Sequence, residues 1–277
     1  MLQPIGHDTM EEAHALLARG FPMRTREFWK EGLARQAAFH AAQDLGPVGQ
    51  LMRVKGEPVG VILTMRSRRG DDAGQTVVNL SSWYVDERYR LLAPRMLQQV
   101  LAEPSRTFTD LTPSPPVTEM MERFGFVRRH DGGIIIPLPA AALRPGGSGI
   151  IAGIDAADIG TDTRRLLRDH LSLGCLVCIL RAEGKDLPLV FSTARRKGLP
   201  TARLVYAADV AAVRRNLGPI ARFLLRNGSF CLEMPAKRDE SLFGGWFSQR
   251  ARPTFVRGGA VNAEIDHAYS EFVFLRI

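Results

Sequence analysis

Cysteine is scarce and aromatic side chains are few: the 277-residue chain has three cysteines, and Phe, Trp and Tyr make up 8% of it. An odd, small number of cysteines excludes a disulfide framework and fits a reducing compartment. Cys175 and Cys178 form a Cys-x-x-Cys step inside LGCLVCILR, a strand-like apolar run in which positions three apart point to opposite faces. With no second pair, they read as buried structural residues rather than a metal or redox site. No apolar run reaches the roughly 18 residues of a membrane span; the longest candidate, Gly132–Ala142, is broken by Pro137 and Pro139. The first residues, MLQPIGHDTMEE, carry acidic charge and lead into no apolar core, so no signal peptide is expected and the expected location is cytoplasmic. Ser-His-Asp, zinc-ligand and Walker-type patterns are missing, which disfavours hydrolase, metalloenzyme and nucleoside-triphosphatase chemistry; no metal is expected.

Arginine is what the chain has in excess. It accounts for almost all of the basic residues behind a net charge of +8 and a pI of about 9.9. A guanidinium fork suits phosphate, so an anionic, phosphate-bearing ligand is favoured, and nucleic acid is one candidate. Nucleic acid is disfavoured because the basic residues are scattered and no aromatic stacking platform is present. At 45% hydrophobic, the chain is long enough for one large or two ordinary domains.

The chain is organised around Gln75–Leu101. Gln75–Val85 is rich in Val, Leu, Trp and Tyr with no Gly or Pro and reads as a buried or half-buried strand. A helix follows, with Pro94 in its first turn and Met96, Leu97, Val100 and Leu101 at helical spacing. The turn between them, Asp86–Ala93, sets arginines beside the positive end of a helix, an arrangement that can hold phosphate. Before this stretch, residues 8–44 read as two helices, Gly49–Arg53 and Pro58–Arg66 as a hairpin, and Arg66–Gly74 as a charged exposed loop. After it, Thr107–Thr112 reads as a strand ending at a proline cluster, followed by a short helix and two more strands.

Arg144–Gly149 has the composition of a linker, and beyond it the order of elements starts again. At a constant offset of 125 residues, Gly49 meets Gly174, Leu51 meets Leu176, Thr76 meets Thr201 and Val85 meets Val210. At the same offset, Arg90-x-Leu92-Ala93-Pro94 meets Arg215-x-Leu217-Gly218-Pro219. Two copies of one unit are expected, spanning 1–143 and 153–277 with 144–152 between them.

The strand ending in Val85, the Tyr89-Arg90 turn and the loop feeding the Pro94 helix resemble the acyl-CoA-binding segment of the GNAT N-acyltransferase superfamily. Met120–Phe126, with its Gly-Phe end, resembles that family's later helix, and Gly56–Leu63 its early hairpin; together the likeness covers roughly residues 50 to 130. The resemblance implies an α/β fold of two tandem GNAT-like halves, each a mixed, largely antiparallel sheet flanked by helices. It implies acetyl-CoA or another acyl-CoA as cosubstrate and a small-molecule amine as acceptor, or else a non-catalytic module that binds acyl-CoA or a protein partner.

The resemblance also carries site residues. Backbone at Trp83, Tyr84 and Val85 would polarise the acyl carbonyl, and Arg88, Arg90, Leu91, Leu92, Ala93, Pro94 and Arg95 would line the pyrophosphate. Asp110 is the carboxylate best placed to act as base, with Glu87 second, and Tyr84 and Ser114 are candidate proton donors. Two departures stand out: Ala93 and Arg95 occupy positions where the family has small residues, and Met121 stands where it usually has a tyrosine acid.

Overall fold

The computed structural model describes residues 1–70, 75–103, 106–146, 149–151, 153–242, 244–259 and 263–277. Strands in the first part of the chain are β1 (Leu2–Pro4), β2 (Gly49–Val54), β3 (Glu57–Arg69), β4 (Gln75–Val85), β5 (Arg106–Asp110), β6 (Val127–His130) and β7 (Gly132–Pro137). Then come β8 (Gly149–Ile151), β9 (Leu176–Ala182), β10 (Lys185–Arg196), β11 (Leu199–Ala207), β12 (Cys231–Ala236), β13 (Trp246–Ser248), β14 (Thr254–Arg257) and β15 (Ile265–Asp266). Helices are α1 (Met10–Gly20), α2 (Arg26–Ala42), α3 (Ala93–Val100), α4 (Pro115–Met121), α5 (Leu138–Ala142), α6 (Thr161–Ser172), α7 (Val210–Arg215), α8 (Leu217–Arg226) and α9 (Glu271–Phe274).

The chain forms two units. The first is Met1–Val127 with Phe255–Gly259 and Tyr269–Leu275; the second is Arg128–Thr254 with Ala260–Ala268 and Arg276–Ile277. In the first, the sheet runs β1-β2-β3-β4-β5-β14, antiparallel except where β4 lies parallel to β5. In the second it runs β8-β9-β10-β11-β12-β7-β13, antiparallel except for β11 beside β12. Hairpin chemistry recurs: Lys55-Gly56 joins β2 to β3 and Glu183-Gly184 joins β9 to β10, all four residues at positive φ, the I′ geometry whose twist suits two-residue loops.

Two expectations need correction. The division expected at 144–152 falls inside the second unit, and Gly147, Ser148 and Ala152 of that stretch lie outside the described residues. β7, which precedes it, is buried along Gly132–Ile136 and pairs with β12 from Gly132↔Ala236 to Pro137↔Cys231. Conversely β14, far beyond it, pairs with β5 in the first unit. Nor is the stretch a free linker, because Arg222 Nη1 donates to the carbonyls of Ala142 (2.8 Å) and Arg144 (3.1 Å).

The second correction concerns Arg66–Gly74, of which 71–74 lie outside the described residues. β3 continues to Arg69, with Ser67 and Arg69 buried. Arg66 grips both oxygens of Glu103 (2.6 and 3.3 Å), and the Arg69 guanidinium lies over the Tyr269 ring at 4.6 Å. Long stems that pack and charged heads that pair let arginines occupy a buried strand.

One face of the first sheet buries Ile62, Val78 and Leu80 against Met96, Leu97 and Val100 of α3 and against Phe126. α3 therefore stands directly behind the end of β4. α1 buries Ala13, Leu16 and Leu17, and α2, capped by the Thr25 side chain accepting from Phe28 N–H (3.2 Å), buries Trp29 and Leu33. The second unit packs the same way, with Val213 of α7 and Leu217, Ile220 and Leu224 of α8 against Phe191, Leu204 and Leu232.

Candidate active site

β4 and β5 pair in parallel from Thr76↔Arg106 to Leu80↔Asp110, where β5 ends; β4 goes on to Val85 against β3 alone. The sheet thus forks at Leu80 and Asp110. Along Ser81–Val85 the edge of β4 that faced β5 has no strand partner among the described residues, and backbone groups left this way seek one.

A bulge sits in the fork. Leu63 pairs with Ser81 and Val61 with Tyr84, so Ser82 and Trp83 oppose Ile62 alone, and Ser82 takes φ +53°. The extra residue changes the phase of the strand. Strict alternation from Leu80 would put Ser82 and Tyr84 on the α3 face; instead Trp83 and Val85 pack there, and Tyr84 turns toward α1. A Cβ on Gly20 would overlap the Tyr84 ring, so the end of α1 is shaped to receive it. Tyr84 Oη donates to Asp86 Oδ1 (2.9 Å), and Arg19 Nη1 donates to both Asp86 oxygens (3.0 and 2.9 Å). Burial, followed by the Asp86 carboxylate, raises the Tyr84 phenol above its ordinary value.

Beyond Val85, Glu87–Leu92 form a 3-10 turn and α3 begins at Ala93 with Pro94 in its first turn. Tyr89, Leu92 and Ala93 pack on the core, while Glu87, Arg88, Arg90, Pro94 and Arg95 are exposed and Leu91 is 95% exposed. Arg90 and Arg95 make no ion pair among the described residues, and α3 has no acidic residue in its first turn. A cleft of about 810 Å³ beside this turn brings Tyr84, Glu87 and Arg88 together with Arg19, Asp86 and Tyr89.

Asp110 and Ser114 do not line that cleft. Ser114 is exposed; it precedes α4 with extended backbone, accepts from Thr118 N–H through its carbonyl (2.9 Å), and its hydroxyl makes no cap bond. Met121 is fully buried in the core. Asp110, at the crotch of the fork, is 9% exposed and accepts from Thr112 N–H through Oδ1 (3.3 Å). Burial first, and the nearby Glu271 carboxylate second, push its carboxyl from 3.8 up to about 8.

Glu271 is a residue that sequence reasoning missed. It accepts from Thr112 Oγ1 (2.8 Å), and its N–H donates to Asn79 Oδ1 (3.4 Å). The available signal was one carboxylate set in an apolar run, Glu271-Phe272-Val273-Phe274-Leu275.

In the second unit the corresponding features are filled. β11 and β12 pair in parallel at Thr201↔Cys231 through Arg203↔Glu233. Past that point β15 pairs with β11 (Tyr206↔Asp266, Ala207↔Ile265), and His267 N–H donates to Val205 O (2.8 Å). Arg215, the positional counterpart of Arg90, pairs with Glu183 (3.4 Å), and Arg214 pairs with Glu240. At the start of α8, Gly218 lies so close to the Arg144 carbonyl that a Cβ would overlap it.

No family model matches the sequence, and no curated protein matches it. Solved structures do match the fold. A protein from Pyrococcus horikoshii assigned as an acetyltransferase is 15% identical with a TM-score of 0.56, covering 98% of this chain and 93% of its own. A GCN5-related N-acetyltransferase from Anabaena variabilis is 11% identical with a TM-score of 0.57, covering 93% of this chain and 72% of its own. One from Kribbella flavida is 13% identical with a TM-score of 0.52, covering 92% and 70%.

Proposed function

Because the chain has the fold of the GCN5-related N-acetyltransferases, we propose that it is an acyl-CoA-dependent N-acyltransferase whose working site is the fork of the first unit and whose acceptor is a small-molecule amine. The observation that carries this reading is the contrast between the forks among the described residues: the first has a strand edge without a strand partner and arginines without an ion pair at the helix start, and the second has both filled by its own chain.

Acyl transfer from a thioester to an amine requires a deprotonated amine, a polarised carbonyl and a protonated leaving thiolate. Acyl-CoA supplies the activated acyl group. The N–H groups along Ser81–Val85 offer hydrogen bonds to a carbonyl or to an extended amide-bearing chain, as a partner strand would. Arg90, Arg95 and the first N–H groups of α3 offer a cradle for a pyrophosphate; Ala93 and Arg95 make close backbone approach harder than glycine would, which puts more of the binding on the guanidiniums. Asp110 takes the proton of the acceptor ammonium, and the same proton is available to the departing thiolate. Met121 contributes packing and no proton.

The missing acid at Met121 favours a second reading, a non-catalytic module that binds acyl-CoA or a protein partner. Turnover separates the two. A melting curve with acetyl-CoA tests the site, since a ligand at about 100 times its Kd stabilises the native state by roughly 2.7 kcal/mol. We expect the rise in the wild type and in Arg214→Ala with Arg215→Ala, and its loss in Arg90→Ala with Arg95→Ala. The opposite pattern would move the site to the second unit. Thiol release across an amine panel supports the enzyme, and binding without thiol release supports the module.

A further inference from the structure

We propose that Glu271, brought into the first unit by the last stretch of the chain, is a positioning residue that acts through Thr112 to hold Asp110 in its working orientation and protonation state. The inference rests on the reading of the first fork as the site of amine acylation, with Asp110 as proton acceptor.

Thr112 stands between the two carboxyl groups. Its backbone N–H donates to Asp110 Oδ1 (3.3 Å) and its hydroxyl donates to Glu271 Oε1 (2.8 Å), so a single residue fixes one oxygen of each. Glu271 is itself pinned. It is fully buried at the first position of α9, which the Ser270 hydroxyl caps by accepting from Phe272 N–H (3.3 Å). Its N–H reaches Asn79, whose amide donates to Thr109 Oγ1 (3.1 Å) one residue before Asp110. Asn79 stands one residue before the fork on β4 and Thr109 is its parallel partner on β5, so the network ties Glu271 to both arms of the fork.

Asp110 Oδ2, in contrast, has no hydrogen-bond partner among the described residues, although the residue is nine-tenths buried. A carboxyl oxygen with no protein partner among the described residues, on a side chain otherwise buried at the end of the parallel pairing, is suited to receive a proton from a ligand group. Across the sheet Asp110 is flanked by Leu80 and Phe255, both apolar, and the charged group acting on it is Glu271. Two carboxylates this close do not both ionise readily, so a proton is retained by the pair near neutral pH. The resulting base is far better matched to an alkylammonium than an ordinary aspartate is.

The step balances. Ionised Asp110 takes one proton from R–NH3⁺, the freed R–NH2 forms the N–C bond at the thioester carbonyl and loses one further proton to water, and the C–S bond breaks with the electron pair leaving on sulfur. The thiolate is then reprotonated by Asp110, which returns to its ionised form. Glu271 exchanges no atom with the substrate.

The test uses the full-length protein with [13C]aspartate labelling, comparing wild type, Glu271→Gln, Glu271→Asp and Asp110→Asn. The Asp110 carboxyl resonance is identified by its loss in Asp110→Asn and titrated. Glu271→Gln, which keeps the shape and the Thr112 bond, is expected to lower its midpoint by at least one pH unit and to move the acid limb of kcat/KM for amine acylation down by the same amount, with KM for acetyl-CoA unchanged. Glu271→Asp is expected to restore most of the wild-type profile, and Asp110→Asn to lose activity by 100-fold or more. An unmoved midpoint in Glu271→Gln overturns the coupling, and a moved midpoint with an unmoved rate profile overturns its role in the reaction. If acetyl-CoA raises the melting temperature of no variant, the acylation reading fails and the assignment of Asp110 as acceptor falls with it, whereas the titration still reports whether Glu271 governs Asp110.

Discussion

Replacing Asp110 by Asn should remove a pH dependence from the stability of the first unit. In the folded chain this carboxyl titrates at about 8 against an ordinary value of 3.8, with burial the larger cause and Glu271 the smaller. Between pH 4 and 8 the native state therefore holds a proton that the unfolded chain releases. Stability from this group is complete below about pH 4, falls by up to about 1.4 kcal/mol per pH unit as pH rises, and is gone above the folded value. The shift spans roughly 4 units, so the ceiling is about 6 kcal/mol, a large share of the 5–15 kcal/mol typical of a domain. Asparagine keeps the shape and cannot ionise. Urea unfolding followed by tryptophan fluorescence measures the effect, since Trp29 and Trp83 both belong to the first unit. Wild type should lose stability between pH 5 and 8 more steeply than Asp110→Asn, by close to one proton's worth of slope, so that the variant becomes the more stable protein at alkaline pH. Parallel dependences over that range would refute the argument, because they would mean that Asp110 ionises alike in the folded and unfolded chain.

Two further substitutions probe the framework. Gly20→Ala should cost about 1–3 kcal/mol, read as a lower melting temperature, because the new methyl meets the Tyr84 ring and displaces the phenol from Asp86; an unchanged melting temperature would mean that the ring yields freely. Arg203→Met should cost about 3–5 kcal/mol in the second unit. Glu233 is buried, and although burial alone would raise its carboxyl, Arg203 first and Arg196 after it hold it below the ordinary value. Below pH 4 that penalty should shrink as Glu233 takes up a proton; a calorimetric loss that stays the same at low pH would contradict it.

Sequence alone determined what is local. The strand over Gln75–Val85, the helix opened by Pro94, the Lys55-Gly56 turn and the recurrence at an offset of 125 follow from side-chain period, proline geometry and turn chemistry, each acting over a few residues. The arginines of the turn after Val85 were visible for the same reason. The choice of partners was decided only by the tertiary structure. That β7 joins β12 and β14 joins β5 depends on which sheet edge is unpaired when the chain returns, and a Pro/Gly stretch between them carries no information about that. Three arginines within Arg66–Arg69 read as a solvated loop because no one-dimensional pattern records that Glu103 stands ready to pair with Arg66 and Tyr269 with Arg69. The bulge at Ser82, which turns Tyr84 to α1 and Trp83 to α3, arises from register against β3. Asp110 was legible as a carboxylate on a strand, but its protonation was not: that requires Glu271, more than a hundred and fifty residues away in the chain and one threonine away in space. Closure of the second fork by β15, which singles out the first as the open one, is likewise a backbone pairing between distant segments, decided by which strand edge was left to fill.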